Sequence, residues 1–324
     1  MKKILITGAG GFIGSHLTER CIELGHEVTA FVRYNSRNDW GWLSKSQYVK
    51  EIDIIAGDIR DYDSVFSAMK GFNTVFHLAA LIGIPYSYVS PLAYLRTNIE
   101  GTHNVLQSAK KLEYEEVMVT STSETYGTAQ YIPIDEKHPS VGQSPYSATK
   151  ISADQLSISY YRSFQLPVKV VRPFNTYGPR QSARAIIPTI IIQILNKEKE
   201  INLGSTYPTR DFSFVEDTVN GFIEIHESKD LYGEATNIGM RNEISMEELA
   251  KLIAKLMNCD LRIKYDSKRI RPENSEVERL LCDNQKILKY TNWKPTHDLE
   301  SGLAKTIDWF RSNYRDYRHR VYNI

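Results

Sequence analysis

Short apolar runs rich in β-branched residues recur along the first half of the chain, at residues 4–7, 28–32, 53–56, 74–78, 117–121 and 168–171. None alternates polar with apolar positions, the pattern of strands covered on both faces. Stretches with a helical period lie between them, near residues 12–24, 62–70, 92–112 and 146–164. Strand, helix and strand repeated in this way predict an α/β fold: a Rossmann-type doubly wound parallel sheet with right-handed crossovers. The pattern changes after Pro173. Helical periods continue near residues 185–196, 215–227, 246–257 and 299–312, but short extended pieces and loops rich in proline and arginine separate them (RPFNTYGPRQSAR, TYPTRDFSF, SKRIRPENSEVER). The expected division is a Rossmann domain over residues 1–177, to which residues 212–228 return, and a smaller C-terminal α/β domain over 178–324. The tail RSNYRDYRHRVYNI is basic and aromatic and reads as a solvated terminal segment.

Composition narrows the class. Hydrophobic residues make up 41% of the 324 and charged residues 24%, ordinary proportions for a soluble globular enzyme. Forty basic residues against thirty-nine acidic ones give a formal charge of +1, without the basic excess of a nucleic-acid binder. Cys21, Cys259 and Cys282 are widely spaced and odd in number, so they suggest neither a metal site nor a disulfide framework. The apolar run at residues 4–6 is too short for a leader, and no stretch has the apolar length of a membrane span. These features lead us to expect a cytoplasmic protein in a reducing compartment, with no metal, membrane or nucleic-acid partner.

The first chemical signal is TGAGGFIGSH, which follows the first strand run and opens the first helix. Gly8, Gly11 and Gly14 have the GxxGxxG spacing. Glycine allows a tight turn and a close approach of backbone to pyrophosphate, and the helix N-terminus favours an anion. At the end of the second strand run, Val32 stands where an NAD-binding chain would carry a carboxylate, and Arg33, Asn35, Ser36 and Arg37 follow. A missing carboxylate beside arginine favours an adenosine 2′-phosphate, hence NADP, with NAD as the alternative. Asp58 follows the third strand run and either accepts a hydrogen bond from adenine or caps the next helix.

The second signal lies in STSETYG and SPYSATK. Tyr146 and Lys150 stand one helical turn apart on one face. A lysine ammonium and a nicotinamide cation favour the phenolate, which then takes the proton of a sugar hydroxyl as its carbon gives up hydride. Thr122 supplies a hydrogen bond to that hydroxyl. Glu124 is the unusual member. Oxidising an alcohol needs no such carboxylate, whereas removing the acidified proton beside a new ketone does.

On these residues the chain resembles an extended short-chain dehydrogenase/reductase acting on a nucleotide sugar. TGAGGFIG, HLAA, TNIEGTHNVL, STSETYG, SPYSATK, RPFNTYGP and RDFSFVEDTV all have counterparts there in the same order. STSETYGTA, PIDEKHP, GQSPYSATKISAD and RPFNTYGPRQSARAIIPT resemble, more narrowly, the nucleotide-sugar 4,6-dehydratases of bacterial legionaminic acid biosynthesis, which act on GDP-linked N-acetylglucosamine. The resemblance implies cofactor contacts from Phe12, Ile13, Ile59, Leu78, Ala79 and Ala80, and from Asn98 near the catalytic helix. It also implies substrate contacts from Tyr86, Asn175, Arg184, Arg210 and Arg271, and a homodimer formed through a four-helix interface of the 92–112 and 146–164 helices. Many 4,6-dehydratases carry Asp-Glu after the threonine, whereas this chain has Ser123-Glu124, the form of GDP-mannose dehydratases, so acid and base work both fall to Glu124.

The expected reaction is NAD(P)-dependent 4,6-dehydration of GDP- or UDP-linked N-acetylglucosamine, a lyase step in surface-glycan synthesis. UDP-glucuronate decarboxylases share the Thr-Ser-Glu string, and Arg180 or Arg184 would serve their substrate carboxylate. A 4-epimerase has no use for Glu124. A non-enzymatic regulator would be expected to have lost Tyr146 or Lys150.

Overall fold

The computed structural model describes residues 1–198 and 200–317. Its strands are β1 (Lys3–Thr7), β2 (Glu27–Arg33), β3 (Asp53–Gly57), β4 (Thr74–His77), β5 (Glu116–Thr120), β6 (Val168–Pro173), β7 (Asn175–Tyr177), β8 (Ile201–Leu203), β9 (Thr209–Phe214), β10 (Ala235–Ile238), β11 (Glu243–Ser245), β12 (Ile263–Tyr265) and β13 (Arg279–Leu280). Seven form one sheet in the order β10-β6-β5-β4-β1-β2-β3, and every pairing in it is parallel. This is the expected doubly wound sheet. β10 extends it at one edge and was not among the expected strands.

The unbroken apolar runs are explained by the two faces. Ile4, Ile6, Ala30, Val32, Phe76, Met118 and Val171 bury on one side with Leu17 and Cys21 of helix Phe12–Glu23 and Val219 and Phe222 of helix Val215–Glu227. Their neighbours Leu5, Phe31, Val75, Val117, Val119 and Val170 bury on the other side against Val105, Leu106 and Ala109 of helix Gly101–Lys111 and Tyr160 of helix Pro145–Phe164. A period of two along each strand thus feeds two cores. Each fully buried aliphatic side chain contributes about 1.5–3 kcal/mol.

The second layer is smaller. β9 pairs with β11, β13 and β7, and β8 pairs with β12. Trp293, Leu303, Ile307 and Phe310 join the first core from this side.

Two expectations need correction. The helix expected over residues 92–112 is continuous but not α-helical throughout: a π-helical turn, Leu95–Glu100, joins Pro91–Tyr94 to Gly101–Lys111. Asn98 sits in that turn and clamps the backbone of Leu81, accepting from its N–H at 2.8 Å and donating to its carbonyl at 2.9 Å. Widened turns of this kind commonly serve a functional site. The tail is not wholly solvated. Tyr317 packs against Trp309 and Phe310, and its hydroxyl donates to the Gln181 carbonyl at 3.1 Å. The rest of the tail, residues 318–324, lies outside the described residues.

At the N-terminal edge of the main sheet, Lys169 and Glu116 form an ion pair at 2.7 Å with side chains 1% and 3% exposed. Lys169 also donates to the His226 carbonyl at 2.8 Å. Removing Lys169 leaves the buried Glu116 carboxylate with His226 alone, whose Nδ1 lies 2.7 Å from its other oxygen. Lys169→Met should therefore destabilise the protein by about 3–5 kcal/mol, and adding Glu116→Leu should recover part of the loss. Denaturant unfolding of the three proteins checks this. Unfolding midpoints that coincide would show the pair to be inert.

Candidate active site

A cavity of ≈ 1170 Å³ runs along the C-terminal edge of the main sheet and under the second layer. That exceeds the about 300–1,000 Å³ of a drug-sized pocket. β1 ends in the glycine turn at its floor. Gly8 has φ +71°, and a Cβ there would lie 2.7 Å from the Ala79 nitrogen. A Cβ on Gly14 would lie 2.2 Å from the Gly8 carbonyl oxygen. The bare turn lets helix Phe12–Glu23 start directly over it, and no side chain caps that helix at Gly11. Its free N–H groups are therefore available to an anion. This fits a dinucleotide pyrophosphate over Gly8, Gly11, Phe12, Ile13 and Gly14, all of which line the cavity.

The adjoining wall is held by a buried hydrogen-bond chain. Ala79 N–H donates to Thr7 Oγ1 at 3.2 Å, and Thr7 Oγ1 lies 2.7 Å from His77 Nδ1. His77 Nε2 lies 3.1 Å from Thr102 Oγ1, which donates to the Asn98 carbonyl at 2.7 Å. With the Thr102 proton so used, the chain assigns the ring proton to Nε2. Burial pulls the His77 pKa down to about 3, so the ring is neutral. Leu78, Ala79 and Ala80 line the cavity from this wall.

At the adenosine end the assignments divide. Arg33, Asn35, Asp58 and Ile59 line the cavity, whereas Ser36 and Arg37 are not part of its wall. Asn35 Oδ1 accepts from the N–H groups of Arg37 and Asp39, both at 3.1 Å, which folds the loop back and carries Ser36 and Arg37 outward. Both oxygens of Asp58 are engaged by Arg60, whose hydrogen bonds hold this carboxyl below the usual range. An adenine amino group would have to share them.

Asn98 and Lys150, expected with Tyr146 among the cofactor contacts, are not part of the cavity wall. Asn98 is spent on Leu81 and, at 3.0 Å, on Thr149 Oγ1 of the helix Pro145–Phe164. Lys150 is 4% exposed and donates to the Thr120 carbonyl at 2.6 Å, behind the wall. Burial lowers its pKa, with Asp154 acting the other way.

Tyr146 opens the helix that Ser144 caps, with Pro145 at its first position and Ser147 completing a capping box. Its phenol is 7% exposed, and its ring lies 6.2 Å edge-on from that of Tyr94. Burial raises the phenol pKa above its ordinary value, the Thr122 hydroxyl lowers it by hydrogen bonding, and the charge of Glu124 raises it. Thr122 lies two residues beyond β5 and caps a 3₁₀ turn, Ser123–Tyr126, in which the Glu124 N–H donates to Thr122 Oγ1 at 3.2 Å. Thr122, Ser123, Glu124 and Tyr146 thus meet on one wall. The Glu124 carboxylate has no hydrogen-bond or ion-pair partner among the described residues.

On the facing side, Tyr86, Asn175, Arg184, Arg210 and Arg271 all line the cavity. Asn175 Oδ1 and Arg271 Nη1 are buried without a hydrogen-bond partner. Glu276, which the sequence reading did not single out, lies 3.4 Å from Arg210 and 3.6 Å from Arg271. Gly10, Trp40 and Gly41 were also missed. A Cβ on Gly10 would lie 2.4 Å from the Trp40 carbonyl oxygen, a contact between segments thirty residues apart. Arg180 is excluded from the site by its partners. It donates to Ser15 Oγ at 3.1 Å and to Glu19 at 3.0 Å.

No helix among the described residues is long and apolar enough to cross a membrane. Among proteins of known identity, the UDP-N-acetyl-α-D-glucosaminuronate decarboxylase of Bacillus cytotoxicus is 32% identical over 97% of this chain and 99% of its own length. A crystal structure of DesIV, the dTDP-glucose 4,6-dehydratase of Streptomyces venezuelae with NAD and TYD bound, superposes with a TM-score of 0.87 at 26% identity, covering 97% of this chain and 98% of that one. The UDP-N-acetylglucosamine 4-epimerase of Methanobrevibacter ruminantium, solved with UDP-N-acetylmuramic acid, gives 0.86 at 30% identity over 96% and 99%. The family model described as GDP-mannose 4,6 dehydratase matches residues 5–306. Since that match takes in the glycine turn, the Thr122–Glu124 turn and the Tyr146 helix alike, the chain belongs to the GDP-mannose 4,6-dehydratase family of extended short-chain dehydrogenase/reductases.

Proposed function

We propose that this protein transiently oxidises carbon 4 of a nucleotide-linked N-acetylhexosamine, GDP- or UDP-N-acetylglucosamine in the first instance, and eliminates water across carbons 5 and 6. The observation that carries this reading is Glu124: an unpaired carboxylate on the cavity wall, two residues beyond the hydroxyl of Thr122. The product is a 4-keto-6-deoxy sugar, as legionaminic acid synthesis requires, and the cofactor returns to its starting state.

Cofactor binding is assigned to residues 1–177 with 212–228, and sugar-nucleotide binding to 178–324. A bound nicotinamide supplies a hydride acceptor at carbon 4, a hydride donor at carbon 6 and a positive ring beside the phenol. Tyr146, held neutral at rest by burial, then becomes acidic enough to act, and it takes the proton of the carbon 4 hydroxyl, which Thr122 orients. Lys150 adds positive charge from behind. The new ketone acidifies carbon 5. Glu124 removes that proton and passes it to the carbon 6 oxygen, which leaves as water. Arg210 and Arg271 face the diphosphate, where a guanidinium meets phosphate oxygens in pairs.

A second reading has its own support. Arg184 lines the cavity beside Gly83 and Tyr94, and among the described residues its hydrogen bonds reach only Ser182. An uncommitted guanidinium near Tyr146 suits a sugar carboxylate, and the 4-keto intermediate of a uronic acid would lose carbon dioxide instead of water.

For the cofactor, NADP is the reading that the end of β2 supports. Val32 is buried where a ribose-binding carboxylate is expected and Arg33 lines the cavity, while the two carboxylates on this wall, Asp39 and Asp58, already accept from the Gly41 N–H and from Arg60. The dimer reading is supported by apolar exposure around the 92–112 helices. Val89, Leu92 and Leu95 are 70%, 56% and 47% exposed, and Phe164 at the end of the catalytic helix is 49% exposed.

Offering GDP- and UDP-N-acetylglucosamine and the matching UDP-uronic acids, with proton NMR of the products, separates the two reactions. Carbon dioxide release without a 6-deoxy product would reject dehydration. Glu124→Gln should lower water elimination by at least about 10²-fold while hydride transfer from carbon 4 persists. Elimination at the wild-type rate would remove Glu124 from the mechanism. Arg33→Asp should shift the ratio of NADP to NAD affinity toward NAD by about tenfold, or 1.4 kcal/mol, read by titration calorimetry. An unchanged ratio would detach Arg33 from the cofactor. Light scattering should give twice the 37.2 kDa chain mass, and Leu92→Arg with Leu95→Glu should halve it. A wild-type monomer would refute the dimer.

A further inference from the structure

Behind the turn that carries Thr122 and Glu124 lies a buried ionic hub that the reaction itself does not use. Asp154 stands one helical turn beyond Lys150 and is 0% exposed. Its Oδ2 accepts from Arg172 Nε at 2.9 Å and from Ser121 Oγ at 2.8 Å. Arg172, 4% exposed on β6, also donates through Nη1 to the Tyr126 hydroxyl at 3.0 Å. Tyr126 in turn donates to Asn237 Oδ1 on β10 at 2.7 Å. Tyr126 and Asn237 are both 0% exposed.

Burying such a pair costs more than an apolar replacement would, so stability alone is a weak reason for it. Its connections give a better one. Ser121 and Tyr126 bracket the reactive segment, one residue before Thr122 and two after Glu124. Asp154 fixes the first bracket and Arg172 the second, and the pair joins the two. Asp154 belongs to the helix that presents Tyr146. The hub therefore fastens the base-bearing turn to the helix that bears the phenol.

We propose that Asp154, Arg172 and Tyr126 are positioning residues that set where Glu124 stands relative to Tyr146, with the Ser121 end governing Thr122 and the Tyr126 end governing Glu124. This rests on the reading of Glu124 as the elimination base. A displacement of about 1 Å at a reacting group costs on the order of 10²-fold in rate, so slackening one bracket uncouples the two half-reactions.

The experiment uses the full-length protein with the nucleotide-linked N-acetylglucosamine that the wild type converts. Stopped-flow absorbance of the reduced nicotinamide reads hydride transfer, and solvent deuterium at carbon 5 with product formation reads elimination. Tyr126→Phe keeps the ring and removes the hydroxyl. It should slow elimination about 10- to 100-fold while hydride transfer changes by less than about threefold, so that reduced cofactor accumulates. Ser121→Ala should do the reverse. Arg172→Lys, which keeps the charge beside Asp154 but lacks the fork that reaches Tyr126, should repeat the Tyr126→Phe pattern and covers the case in which that variant does not fold. Equal slowing of both steps in these variants, or slowing of neither, overturns the proposal and leaves the hub structural. Glu124→Gln run alongside keeps the two ideas apart. If it eliminates normally, the reading of Glu124 has failed. If it stalls and the hub variants do not uncouple, only the present inference has failed.

Discussion

The missing side chain at Gly14 is the constraint on which the site depends. Only a bare Cα allows the first helix to begin within contact of the Gly8 carbonyl, and only that close start presents its unpaired N–H groups at the mouth of the sheet. Gly8 meets the same limit against Ala79, so β1 and β4 deliver their ends side by side. From there the hydrogen-bond chain through Thr7, His77, Thr102 and Asn98 carries the alignment to Leu81 and Thr149, and so to the helix of Tyr146. One steric limit thus fixes an anion site and, through successive contacts, the wall opposite it.

Charge is distributed along this edge with a purpose. Groups that are neutral at rest are buried, as with His77 and the Tyr146 phenol. Groups that must hold a position are paired, as with Arg172 and Asp154 or Arg180 and Glu19. Glu124 and Arg184 follow neither rule, and both line the cavity. Arg184 is exposed and its charge costs little, whereas Glu124 is half-buried, and a half-buried charge without a partner is costly and persists where a ligand completes it.

Local patterns in the sequence carried the parallel sheet, the glycine turn and the Thr122, Glu124 and Tyr146 wall, because each depends on residues close together in the chain. What could not be read depends on contacts between distant segments. The periodicity of residues 92–112 is helical throughout, and nothing in it reveals the π-helical turn or that Asn98, within it, grips Leu81. Arg180 and Arg184 look equivalent in the string GPRQSAR, yet one is spent on Glu19, a residue of the first helix, and the other borders Gly83. Glu276 gave no signal because its meaning lies in Arg210, sixty-six residues earlier. The course of the Asn35 loop has a local cause: an asparagine hydrogen-bonds its own following backbone, and Ser36 and Arg37 are not part of the cavity wall.

The Lys169–Glu116 pair sits at the opposite end of the strands from all of this, with Glu116 opening β5 and Thr120 closing it, a span of about 13 Å. Foundation and workbench are therefore separate. On the proposed reading, substitutions at the reactive lip redirect the 4-keto intermediate without loosening the anchor beneath. One scaffold can in this way host water loss, decarboxylation or inversion, its chemistry decided by a few side chains that bear little of its weight.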